Sequence, residues 1–152
     1  TKANADIGGA FINQVLQEFC EIHENCYLFD SLGSRKYLSM LAGCKVVIGN
    51  SSSGIYEAPA FRIPTINIGN RQNGRVKAKS IVDCKPNKEE IVKAIKMVQS
   101  NSFTKKLKNM KIPFEGGKTA EKILEKIVQV VENKINLQKG FYDIYFKTDI
   151  EK

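Results

Sequence analysis

The feature that most restricts the fold is an apolar run, Val46-Val47-Ile48, that does not alternate with polar residues; after Pro64 comes a second run, Thr65-Ile66-Asn67-Ile68. A strand with one wet face alternates. A continuous run belongs to a strand covered by helices on both faces, which is the habit of parallel sheets. The surrounding pattern agrees. Apolar residues at 11, 12, 15, 16 and 19 predict an amphipathic helix ending near Asn25, with Asn4 or Asp6 as its cap. Cys26 to Phe29 reads as a short buried strand. Ser34 is placed to cap a second helix, which Gly43 ends. The strand Lys45 to Gly49 follows, then a helix over about 53–61 that Pro59, lacking an N–H, should cut short. Further strands are expected at 64–68 and 80–82. A helix capped by Asn87, a shorter one over 103–110 and a long one over 119–139 complete the chain, with an apolar tail from Phe141 to Phe146. Alternating strands and helices with short loops predict an α/β fold built on a doubly wound parallel sheet.

In such sheets ligands sit beyond the carboxyl ends of the strands. Those ends are Asp30 to Gly33, Gly49 to Ser53 and Gly69 to Arg75, and the start of the chain joins them if a strand precedes Asn4. The unusual polar residues therefore gather on one rim. Ser51, Ser52 and Ser53 precede Gly54 at a strand-to-helix turn, where unpaired amides and the helix dipole favour an anion. One serine would suffice as a cap; three in succession favour a phosphate. Glu57 is either a first-turn carboxylate interacting with the dipole or an acceptor for both hydroxyls of a ribose. Its spacing does not form a capping box with any of the three serines. Arg71 and Arg75 are either solvated loop residues or bidentate partners for phosphate oxygens. Asn4 and Asp6 point to the same rim.

Composition narrows the function by exclusion. No apolar stretch approaches the roughly 20 residues of a membrane helix, so no membrane role is expected. The +8 formal charge comes mostly from lysines mixed with glutamates at helical spacing, as in Lys88-Glu89-Glu90, which marks solvated faces rather than a nucleic-acid surface. The cysteines at 20, 26, 44 and 84 form no Cys-x-x-Cys pair and read as buried free thiols, with no metal site. His23, the only histidine, reads as a surface residue. The rim holds no pair of groups fit to act as general acid and base, so no catalytic residue is assigned. From this chemistry the chain holds the nucleoside-diphosphate half of an active site.

Asn4-Ala5-Asp6-x-Gly8-Gly9, Gly49-Asn-Ser-Ser-Ser-Gly-Ile55, Glu57-Ala-Pro59 and Asn67-Ile-Gly-x-Arg-Gln-x-Gly-Arg75 together resemble the UDP-N-acetylglucosamine 2-epimerases, in the hydrolysing branch of sialic and related nonulosonic acid synthesis. The likeness runs from residue 4 to about 100, and Phe141-Tyr142-Asp143-Ile144 is also similar to that branch. It implies a Rossmann-like parallel sheet with flanking helices, the C-terminal half of a glycosyltransferase-B type two-domain fold. Residues 1–140 would form the UDP-binding domain, without its first strand, and 141–152 a tail. The resemblance also implies a UDP-sugar substrate, an N-terminal domain of the same polypeptide as partner, a full-length homodimer, a cytoplasmic location and no cofactor. It assigns the diphosphate to Ser51, Ser52, Ser53, Gly54 and Arg71, the ribose to Glu57, and the cleft edge to Asn4, Asp6, Ser31, Leu32 and Arg75. The implied reaction eliminates UDP after loss of the C2 proton and hydrates the resulting glycal to N-acetylmannosamine. The loop Arg71-Gln72 favours the hydrolysing over the non-hydrolysing branch. UDP-N,N′-diacetylbacillosamine remains an alternative substrate, and a glycosyltransferase of the same fold an alternative activity.

Overall fold

A computed structural model describes residues 1–3, 8–114 and 116–133. The chain divides into two compact units, Thr1–Glu115 and Gly116–Lys152. The first contains a parallel sheet of three strands in the order β1-β2-β3: β1 (Val47–Gly49), β2 (Thr65–Ile68) and β3 (Ile81–Cys84). Register pairs Ile48 with Ile66 and Ile66 with Val82. The helices of this unit are α1 (Gly9–Ile22), α2 (Gly33–Gly43), α3 (Ser53–Tyr56), α4 (Lys88–Val98) and α5 (Asn101–Lys108). In the second unit α6 covers Thr119–Glu132, and the rest of the long helix expected to reach 139 lies outside the described residues, as does the 141–146 tail.

Successive side chains of a strand point to opposite faces, and β2 shows what covers each. Ile66 belongs to the buried cluster with Ala94 and Val98 of α4, against which Ile68, Val82 and Phe103 also pack. Thr65, one residue earlier, faces the other way and bonds to Gly54 of α3. β2 is thus covered on both sides, which gives its run a physical reason; in β1, by contrast, Ile48 is 47 % exposed, so that run is not covered on both faces as expected.

Pro59 divides the expected 53–61 helix. α3 stops at Tyr56, and a 3₁₀ turn over Ala58–Phe61 takes its place, ending at Arg62 in the left-handed conformation (φ 58°). Asn87 caps α4, its side chain accepting from the Glu90 amide at 2.9 Å.

Other expectations are corrected. Cys26 to Phe29 joins no ladder; the Cys26 amide turns back to the His23 carbonyl, and the Phe29 carbonyl accepts from the Lys2 amide, each at 3.0 Å. Ser34 caps nothing, because α2 begins one residue earlier, after Leu32, without a side-chain cap. The turn before it is closed instead by Ser31, whose Oγ accepts from the Gly33 amide at 3.2 Å. The first helix starts after Gly8, in a left-handed conformation that supplies no side-chain cap, and ends at Ile22. The four cysteines are free but half-buried rather than buried. His23 is exposed and rests on Phe19, ring centroids 4.1 Å apart. No helix among the described residues is long and apolar enough to cross a membrane.

Candidate functional site

β1 ends in Gly49, whose φ of 146° is one that side-chain-bearing residues rarely adopt. This turn releases the chain into Asn50-Ser51-Ser52-Ser53 at the carboxyl edge of the sheet. Here a cleft of about 690 Å³ opens, lined by the Gly49–Ser51 segment, Ser53, Tyr37 of α2, Gly9 and Ile12 of α1, and Arg71 from the loop after β2. Beside it lies a smaller hollow of about 380 Å³ bounded by Lys2, Asp30, Ser31, Leu32 and Ser34. Tyr37 borders both.

The serines have separate surroundings. Ser51 Oγ accepts from the Ser53 amide at 3.3 Å, and the Ser51 carbonyl from the Gly54 amide at 3.2 Å. The Ser52 carbonyl takes the Ile55 and Tyr56 amides, at 2.9 and 3.0 Å, so the turn is wound tightly. The Ser51 and Ser52 amides have no hydrogen-bond partner among the described residues. These are the donors that the start of a helix offers to an anion. Ser53 Oγ is hydrogen-bonded to Tyr37 Oη, which fixes both side chains at the cleft wall.

Of the residues singled out from sequence, Ser51, Ser53 and Arg71 meet at the large cleft, and Ser31 and Leu32 line the neighbouring hollow. Ser52 and Glu57 are exposed at the two ends of α3, the Glu57 carboxylate without a hydrogen-bond partner among the described residues. Gly54 is buried, and its missing side chain makes room for Thr65: a Cβ there would stand 2.6 Å from Thr65 Cγ2. Arg75 lies apart, its guanidinium 5.4 Å from the Tyr56 ring centroid, and Tyr56 in turn packs on Phe114. Asn4 and Asp6 lie outside the described residues.

Two contributors were not foreseen. Gln72 is 1 % exposed and donates from Nε2 to the Asn50 carbonyl at 2.6 Å. Tyr37 falls within the second helix, one turn after Ser34. Gln72 stood in the motif from Asn67 to Arg75 but was given no role in the site, and Tyr37 carried no motif signal.

Behind the Gly69–Arg75 loop, Asp83 takes hydrogen bonds from Lys77 Nζ and Asn67 Nδ2 at 2.7 and 2.6 Å. Burial acts to raise its pKa, but Lys77 and Asn67 outweigh it, and the carboxyl sits below its ordinary value.

The geometry so far is that of a turn with two unpaired amides beside a second hollow, at the carboxyl ends of parallel strands. The family model for UDP-N-acetylglucosamine 2-epimerase matches residues 1–128. The chain belongs to this family. Among its relatives, the GDP/UDP-N,N′-diacetylbacillosamine 2-epimerase (hydrolyzing) of Campylobacter jejuni is 43 % identical over 95 % of the chain, which covers 37 % of that protein. Polysialic acid biosynthesis protein P7 of Escherichia coli is 34 % identical over 93 % of the chain and 36 % of its own length. The UDP-N-acetylglucosamine 2-epimerase of Neisseria meningitidis is 32 % identical over 86 % of the chain and 34 % of its own length. The chain thus spans little more than a third of these curated relatives. A crystal structure from Listeria monocytogenes, provisionally assigned as a UDP-N-acetylglucosamine 2-epimerase, superposes with a TM-score of 0.63 at 20 % identity, over 87 % of this chain and 37 % of that one, and shares the fold of this family member.

Proposed function

We propose that this chain is the UDP-binding half of a hydrolysing UDP-sugar 2-epimerase. The observation that carries the reading is the 43 % identity to a relative named as a hydrolysing 2-epimerase, over 95 % of the chain. The cleft supports it: Ser51, Ser53 and Arg71 converge where a diphosphate would lie. On this reading the Ser51 and Ser52 amides and the Arg71 guanidinium hold the diphosphate. Glu57 takes the ribose hydroxyls, and Ser31 and Leu32 border the base.

The reaction begins with removal of the proton on C2 of the sugar. The electron pair forms a C1=C2 bond as the C1–O bond to UDP breaks, and UDP leaves with the bonding electrons. Water then adds its hydroxyl to C1, and C2 regains a proton on the opposite face, giving the free 2-epimer. Binding the leaving group is this chain's share: amides and a guanidinium that stabilise developing diphosphate charge lower the barrier to C1–O cleavage. The acid and base come from another domain of the same polypeptide.

Two substrates fit. UDP-N-acetylglucosamine, giving N-acetylmannosamine, follows from the family and the Neisseria relative; the higher identity of the Campylobacter relative favours UDP-N,N′-diacetylbacillosamine. Incubating the full-length protein with each sugar and identifying products by NMR tests both. Free 2-epimer plus UDP is the expected result. A UDP-linked epimer would refute hydrolysis, and transfer of the sugar to an acceptor would refute the epimerase reading.

A further inference from the structure

Gln72 is a polar side chain where an apolar one would pack more cheaply. It is 1 % exposed, in a loop whose neighbours Arg71 and Asn73 are exposed. Its Nε2 reaches across 22 residues of sequence to the Asn50 carbonyl at 2.6 Å. Its Oε1 is buried with no partner among the described residues. A buried amide satisfied on one side only costs stability, and such a group calls for a reason beyond packing. What it joins supplies one. Asn50 opens the serine turn, and Arg71, adjacent to Gln72, lines the same cleft. The turn is held at its other end by the Tyr37–Ser53 bond.

We propose that Gln72 is a positioning residue for the diphosphate end of the cleft: its hydrogen bond to the Asn50 carbonyl sets the Ser51 and Ser52 amides in register with Arg71. This rests on the reading of the cleft as a UDP site. Losing the bond takes the donor from the Asn50 carbonyl but also removes the unpartnered Oε1, two effects that oppose each other in stability, so the bond is read out in geometry. Two anion-binding segments from different crossovers are thereby locked to each other. Their entropy of alignment is removed before the ligand arrives.

The test uses the full-length protein, with calorimetric titration of UDP and of uridine, and thermal denaturation without ligand. Gln72→Met keeps the volume, loses the donor and removes the unpartnered oxygen. It should keep a thermal midpoint close to that of the unsubstituted protein and bind uridine unchanged, while UDP affinity falls about five- to tenfold, the value of one aligned hydrogen bond. Should that variant not fold, Gln72→Asn, an uncharged amide one methylene shorter whose donor falls short of the Asn50 carbonyl, gives the same comparison, uridine serving as the uncharged reference. Unchanged UDP affinity in a folded variant overturns the proposal, as do equal losses for UDP and uridine. If the unsubstituted protein binds no UDP, the UDP-site reading fails first and takes this inference with it.

Discussion

Gly54 and Thr65 touch across the crossover from β1 to β2: Thr65 Oγ1 donates to the Gly54 carbonyl at 3.0 Å, and Thr65 Cγ2 occupies the space that a Gly54 side chain would need. Thr65 is 2 % exposed, on a strand held from both sides, so neither partner can retreat. Gly54→Ala should therefore destabilise by about 1–3 kcal/mol, the cost of an overfilled core. Thr65→Ser, which drops the offending methyl and keeps the hydroxyl, should recover much of that loss in the double variant. Urea midpoints of the four proteins decide it; a Gly54→Ala variant as stable as its parent would show the contact to be slack.

Arg62 joins a strained backbone to a capping role. It sits at φ 58°, while its Nη1 donates to the carbonyls of Leu107 and Met110, at 2.9 and 3.3 Å, at the end of α5. Arg62→Ala loses these bonds and keeps the strain. Arg62→Gly loses the same bonds and relieves it, so the glycine variant should be the more stable by about 1 kcal/mol. Thermal melts in which alanine equals or exceeds glycine would contradict this account.

Asp83 should leave a mark on acid stability. Its folded pKa lies below the unfolded value, so its contribution is present above pH ~4 and disappears as pH falls through the folded value. The side chain is about half exposed, and screening holds the effect below about 1 kcal/mol. The stability difference between the parent and Asp83→Asn, followed by denaturation from pH 6 to pH 2.5, should shrink on acidification. A constant difference would mean that the Lys77 pair contributes nothing.

Glu57→Ala should weaken UDP binding to the full-length protein by about 1–3 kcal/mol, the scale of lost charged hydrogen bonds. Its exposed carboxylate needs no structural partner, so stability should stay level. An unchanged dissociation constant in calorimetry would remove Glu57 from the ribose assignment.

Backbone chemistry made much of the fold readable in the sequence. The imino nitrogen of Pro59 and the acceptor on Asn87 act within a few residues of themselves, and both operate as expected; the run from Val46 to Ile48 forms its strand, but Ile48 stays exposed where burial was expected. Cys26 to Phe29 misled because strand propensity cannot supply a ladder partner. Ser34 misled because Ser31 closed the turn first. At the cleft, Ser51, Ser53 and Arg71 were visible as residue types that bind anions. Gln72 and Tyr37 were not, since their importance comes from reaching Asn50 and Ser53, 22 and 16 positions away. A polar residue in a loop carries no sign that it will be buried.

The compact passage from Gly54 through the 3₁₀ turn to Thr65 has an evolutionary consequence. Both its ends are clamped to each other, so lengthening or trimming it would drag the serine turn out of place. Sequence insertions in descendants of this protein should accumulate elsewhere, leaving this short bridge as a ruler of fixed length.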